Sequence, residues 1–140
     1  MIAILTKSED GFKEFDGDWM QWKNLGRAYG VKDQDIHLVL DLDEILPQFD
    51  GIKKVFLEPP YNRKMIDQKF IDLEDYKHPD DCVYIFGNTA KNNIRFITDV
   101  DDIVYIRMLN MSSRLVFGVS MAGIVLYDRM KKNGWNNRHY

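Results

Sequence analysis

The chain has 140 residues, a formal net charge of -3, and a composition that is 45% hydrophobic and 29% charged. That composition excludes a disordered chain and binding driven by bulk basic charge, and no apolar stretch approaches the ~20 residues of a membrane helix. One cysteine, Cys82, excludes an internal disulfide framework and a thiolate zinc cluster, and it fits a reducing, cytoplasmic compartment.

In chain order, Ile2 to Leu5 reads as a buried strand and not as a signal peptide, because it stops at Thr6-Lys7 with no cleavage-site pattern. Ser8 to Gly17 is polar and reads as a loop. Asp18 caps a helix with Trp19, Trp22, Leu25 and Tyr29 at helical spacing, stopped by Gly30. Ile36 to Leu40 is a second strand. Asp43 is placed to cap a short helix through Phe49, with Pro47 near its first turn. Val55 to Leu57 is a third strand, closed by Pro59-Pro60. From Tyr61 to Pro79 the pattern is ambiguous, with Met65, Ile66 and Phe70 fitting a helix turn or two. Cys82 to Phe86 is a fourth strand ending at Gly87, and Ile103 to Ile106 a fifth. The clearest helix runs from about Arg114 to Lys132, with Leu115, Val119, Ala122, Leu126 and Met130 on one face and Gly134 as its stop. Nearly all-apolar strands alternating with helices argue an α/β fold: a mainly parallel sheet flanked by helices, in one domain over positions 1–140.

Candidate chemistry is sparse. Asp41 and Asp43 follow the second strand, where open α/β sheets place ligands, but a strand exit and helix cap is the better account of them. His37, His78 and His139 show no metal-ligand spacing, so no metal site is expected. Cys82 opens a buried strand and reads as a small apolar filler. Trp19 and Trp22 read as core or interface. The basic stretch from Arg129 to His139 is explained in large part by the dipole of the helix it ends. There is no Walker loop and no Gly-x-Gly-x-x-Gly.

The stretch from Cys82 to Arg129 carries more. A strand ending Phe86-Gly87 is followed by a polar loop, Asn88 to Asn93; a second strand ends Val104-Tyr105-Ile106-Arg107-Met108; then comes the helix Val119-Ser120-Met121-Ala122-Gly123-Ile124-Val125-Leu126-Tyr127. This pattern, with His78-Pro79-Asp80-Asp81 ahead of it, resembles the C-terminal half of SPOUT-class trefoil-knot methyltransferases, in the SpoU branch. Asn24-Leu25-Gly26-Arg27-Ala28-Tyr29-Gly30 resembles that family's first motif more faintly.

The resemblance implies a C-terminal trefoil knot, a homodimer, and S-adenosylmethionine held mostly by backbone groups of three loops. Carried over, those are Gly87 and Asn88, then Ile106 and Met108, then Leu115, Val116 and Phe117. It implies methyl transfer to RNA, by resemblance to the ribose 2'-O of tRNA or rRNA, with Arg27 and Arg107 as the catalytic cations. The departures from the family pattern are Thr89 for its loop glutamate, Asn92 for a glycine, Arg107 for a proline, and Val116-Phe117-Gly118 for ser-leu-asn. They keep a second reading open, a catalytically degenerate knotted homodimer that binds RNA or protein. An unrelated flavodoxin-like or receiver-like domain with Asp41 or Asp43 as its acidic site is a third.

Overall fold

A computed structural model of the chain describes residues 1–7, 17–87, 93–110 and 118–134. Six strands, β1 (Ile2–Lys7), β2 (Ile36–Val39), β3 (Lys53–Leu57), β4 (Phe70–Asp72), β5 (Cys82–Phe86) and β6 (Asp102–Tyr105), form one sheet in the order β2-β1-β5-β3-β6-β4. Every pairing is parallel. The two α-helices are α1 (Gly17–Ala28) and α2 (Gly118–Asn133).

The central strands are apolar at successive positions because both faces of the sheet are covered. On one face Ile4, Val55, Leu57, Tyr84, Phe86 and Val104 pack with Trp22 of α1 and with Met121, Ala122, Val125 and Leu126 of α2. On the other, Ala3, Leu5, Phe56, Val83 and Ile85 pack with Leu42, Ile45 and Phe49. Each Leu, Ile or Phe buried this way contributes about 1.5–3 kcal/mol. Both described α-helices therefore lie on the first face. The second is covered by short 3₁₀ turns, Leu42–Glu44 and Leu46–Phe49, where the sequence suggests one short helix. The cap there is Asp41, whose Oδ1 accepts from the Asp43 N–H at 3.4 Å, and not Asp43 itself.

The ambiguous stretch resolves into a 3₁₀ turn, Pro60–Met65, and the edge strand β4. At three residues, β4 is too short for period-two alternation to announce it, and it depends on β6 for its pairing. Described residues place the start of α2 at Gly118; Arg114 to Phe117 lie outside them. Ala122 and Leu126, at 0% and 2% exposure, are already buried in the chain's own core, while Ile124 and Tyr127 remain exposed.

Because all strands are parallel, their carboxyl ends share one edge of the sheet. The chain leaving β5 must pass β3 to reach β6. Register pairs Leu57 with Phe86 on one side and with Val104 on the other, so the exit of β3 lies between those of β5 and β6.

Candidate functional site

Along the carboxyl edge, β5 ends at Phe86, followed by half-buried Gly87. From β6 the chain continues through buried Ile106, exposed Arg107 and half-buried Met108. Phe86 and Ile106 belong to the helix-side core, and Met108 packs against it. The start of α2 is at this edge too. Its far end reaches the opposite one, where Arg129 donates to the Pro79 and Asp80 carbonyls just ahead of β5, at 2.5 and 2.9 Å. Gly87, Ile106 and Met108 thus lie along the same edge of the sheet, with the exit of β3 between them. Asn88, Leu115, Val116 and Phe117, and the segments that a knot would require, lie outside the described residues.

The two arginines lie apart. Arg107 is at the carboxyl edge, its guanidinium 2.7 Å from Oδ2 of Asp72 at the end of β4 and 4.0 Å from Glu74. The Asp72 charge holds the Arg107 pKa above its ordinary value, so the group is a fixed cation. Arg27 lies in the last turn of α1 and pairs with Asp33 at 2.7 Å, just ahead of β2. That is the amino edge of the sheet, the end away from Gly87. Hydrogen bonding to Asp33 raises the Arg27 pKa as well.

Gly118 stands where the resembled motif has asparagine, and its φ is +61°. Asparagine and glycine are the residues that most readily adopt this left-handed region. The replacement keeps the backbone and removes the amide.

Between the β5 and β6 exits is a buried polar cluster that sequence reasoning missed. Glu58, 2% exposed, directly follows β3. Its Oε1 accepts the Asn93 N–H at 2.9 Å and its Oε2 accepts from Asn62 Nδ2 at 3.2 Å. The Asn93 side chain is fully buried, and neither its Oδ1 nor its Nδ2 has a hydrogen-bond partner among the described residues. The available signal was a lone glutamate closing an apolar strand ahead of Pro59-Pro60.

A second missed cluster lies on the helix face. His78, apart from any metal set, is a structural bridge: Nδ1 accepts from the Tyr84 hydroxyl and Nε2 donates to Asp128 Oδ2, each at 2.7 Å, a tautomer assigned from the network. Lys132 also reaches Asp128, at 2.8 Å. Burial pushes the Cys82 thiol up, so it is an inert filler as its strand position suggests. His37 packs edge-on to Phe49, with centroids 5.7 Å apart. Asp41 is a turn cap 3.3 Å from Arg95. No group of three or more His, Cys, Asp or Glu among the described residues is arranged to hold a metal ion, and no described helix is long and apolar enough to cross a membrane.

Solved structures identify this architecture. The SpoU methyltransferase AviRb from Streptomyces viridochromogenes, in complex with AdoMet, superposes with a TM-score of 0.65 at 13% identity over 95% of this chain. The chain has the fold of the SpoU-class methyltransferases. A TrmH-family protein from Porphyromonas gingivalis matches with a TM-score of 0.60 at 11% identity over 91% of the chain. A structure described as giving insight into 2-OH methylation of C/U34 on tRNA matches with a TM-score of 0.62 at 8% identity, covering 94% of this chain and 90% of that one. The chain spans 60% of the length of AviRb and 58% of the TrmH-family protein. No family model matches, and no curated protein matches significantly. The flavodoxin-like alternative is set aside, because its strand order runs 2-1-3-4-5 and this sheet runs 2-1-5-3-6-4.

Proposed function

We propose that the chain is an S-adenosylmethionine-dependent RNA methyltransferase acting on a ribose 2'-O of tRNA or rRNA, as a cytoplasmic homodimer. The observation that carries this is the carboxyl edge: Gly87, Ile106 and Met108 all lie along it, in a fold like that of AviRb, whose structure holds AdoMet. Part of that ligand is an adenosine, whose base is apolar on its faces and polar at its edges. Phe86, Ile106 and Met108 offer apolar surface, and the main chain at Gly87 offers polar groups without a side chain in the way. Backbone donors and acceptors survive changes of residue type, so cofactor recognition through them is compatible with identities of 13% or less.

When bound, S-adenosylmethionine supplies a methyl group on a positively charged sulfur. Ile106 and Met108 orient the cofactor and exclude water. Arg107 cannot accept a proton; it attracts an RNA phosphate or a developing ribose oxyanion by exchanging Asp72 for it. Arg27, at the opposite edge, serves a ribose only if a second copy of the chain carries it there. Exposed Met20, Ile124 and Tyr127 on α1 and α2 are the apolar groups available for that contact.

One observation favours the catalytically degenerate reading: both candidate cations are already paired with carboxylates. Transfer of label from radioactive S-adenosylmethionine to total tRNA or total rRNA tests the proposal. Label in either pool is expected. Cofactor binding with no label in either pool replaces the enzyme by a binding module.

A further inference from the structure

We infer that the 3₁₀ turn Pro60–Met65 is a surface on which this chain holds the RNA backbone, with Arg63 and Lys64 each taking a phosphate. The inference rests on the RNA reading above and deepens it by naming the contact surface.

At a net charge of -3, attraction to a polyanion falls to cations that the protein does not itself neutralise. Most of the described arginines are already engaged. Arg27 pairs with Asp33, Arg95 with Asp41 and Arg107 with Asp72, at 2.7, 3.3 and 2.7 Å. Arg129 is buried and donates to the Pro79 and Asp80 carbonyls. Arg63 alone among the described arginines has no partner among the described residues, and the same holds of Lys64 beside it. Both are exposed.

Their place in the fold is fixed. The turn follows β3, whose exit lies between those of β5 and β6. Asn62 donates from Nδ2 to Glu58 Oε2 at 3.2 Å and from its main-chain N–H to the Pro59 carbonyl at 3.0 Å. Those bonds hold Asn62 to the end of β3, and Arg63 and Lys64 come directly after it. Pro59 and Pro60 fix φ on entry to the turn. The Glu58 carboxylate is 2% exposed and held by Asn62 and the Asn93 N–H, so it does not neutralise the pair.

The chemistry suits phosphate. Arg63 presents a planar fork for two oxygens of one phosphate, and Lys64 a point charge. Neighbouring residues of a 3₁₀ turn leave its axis about a third of a turn apart, so the two reach separate phosphates. Arg95 and Arg107 must release a carboxylate before taking a phosphate, whereas Arg63 and Lys64 need not.

The test follows binding of fluorescently labelled total tRNA to the full chain by anisotropy, between about 50 and about 200 mM salt. The Arg63→Ala/Lys64→Ala protein should bind about tenfold or more weakly at the low-salt end. Its slope of log affinity on log salt should shrink by about 1 to 2, and its urea midpoint should not move. Lys32→Ala/Lys69→Ala removes the same charge just ahead of β2 and β4, at the amino edge, and should leave affinity within about threefold. Arg63→Lys/Lys64→Arg keeps both charges and should keep the slope. An unchanged slope in the Arg63→Ala/Lys64→Ala protein overturns the inference, as does an equal loss in the Lys32→Ala/Lys69→Ala protein. If the unsubstituted chain binds no tRNA, the tRNA reading fails first and this inference fails with it.

Discussion

At the scale of single residues, burial sets chemical behaviour, and it can be measured. Burial pushes the His78 imidazole below its ordinary pKa despite the hydrogen bond to Asp128. In the unfolded chain the same group takes a proton near pH 6.5. Below that pH the unfolded state therefore binds more protons, so the stability His78 contributes is present above about pH 6.5 and is lost as pH falls toward the folded value. His37, lowered by burial too, adds a slope of the same sign. Urea midpoints should fall between about pH 7.5 and about pH 5.5, and His78→Gln should flatten that fall. An unchanged slope in the variant would remove His78 from the explanation. Asn93 gives an opposite test. Its buried carboxamide, without a hydrogen-bond partner among the described residues, costs about 1–3 kcal/mol, so Asn93→Leu should raise the urea midpoint while the main-chain N–H keeps Glu58. A lower midpoint would mean that the amide has a partner.

At the scale of elements, α1 and β2 meet through a glycine. A Cβ on Gly26 would overlap Ile36 Cδ1 and come within 3.1 Å of the Val31 carbonyl. Ile36 is 3% exposed and has little room to move. The helix propensity alanine adds, about 1 kcal/mol, is outweighed by overpacking, and Gly26→Ala should destabilise by about 1–2 kcal/mol in chemical denaturation. A stabilised variant would show the contact to be looser than the geometry states.

The elements differed in how far the sequence revealed them, for physical reasons. The apolar runs of β1, β2, β3, β5 and β6 and the helical spacing of α1 were plain, because burial on both faces writes itself into residue type. β4 was not, because three residues carry no period and Phe70, with Met65 and Ile66, fits a helix turn equally well until β6 pairs with it. The helix after β2 was expected because Asp43 and Pro47 signal a start, but 3₁₀ turns use the same signals. At the carboxyl edge, Gly87, Ile106 and Met108 are candidates that a motif resemblance names, and the fold sets them along one edge of the sheet. Glu58 and Asn93 were not legible, being 35 residues apart and joined only by the order of the strands. Arg27 and Arg107 looked equivalent in sequence; only the parallel sheet shows that they occupy opposite edges.

At the scale of the whole molecule, a net charge of -3 leaves RNA attraction to local cations. Arg107 stands at the carboxyl edge, so Arg107→Ala should lower methyl transfer by about a hundredfold and leave cofactor affinity within about threefold. Transfer that survives the substitution would assign the cation elsewhere. Sheet order and the apolar exits of β5 and β6 converge on one edge of the sheet, where the proposed cofactor would lie. The most direct test is calorimetric titration of the purified chain with S-adenosylmethionine and S-adenosylhomocysteine, alongside Gly87→Trp. Saturable binding of at least one form is expected, lost when the tryptophan fills the space at Gly87 while far-ultraviolet circular dichroism stays unchanged. No binding of either form by the folded, unsubstituted chain at millimolar ligand would contradict the account.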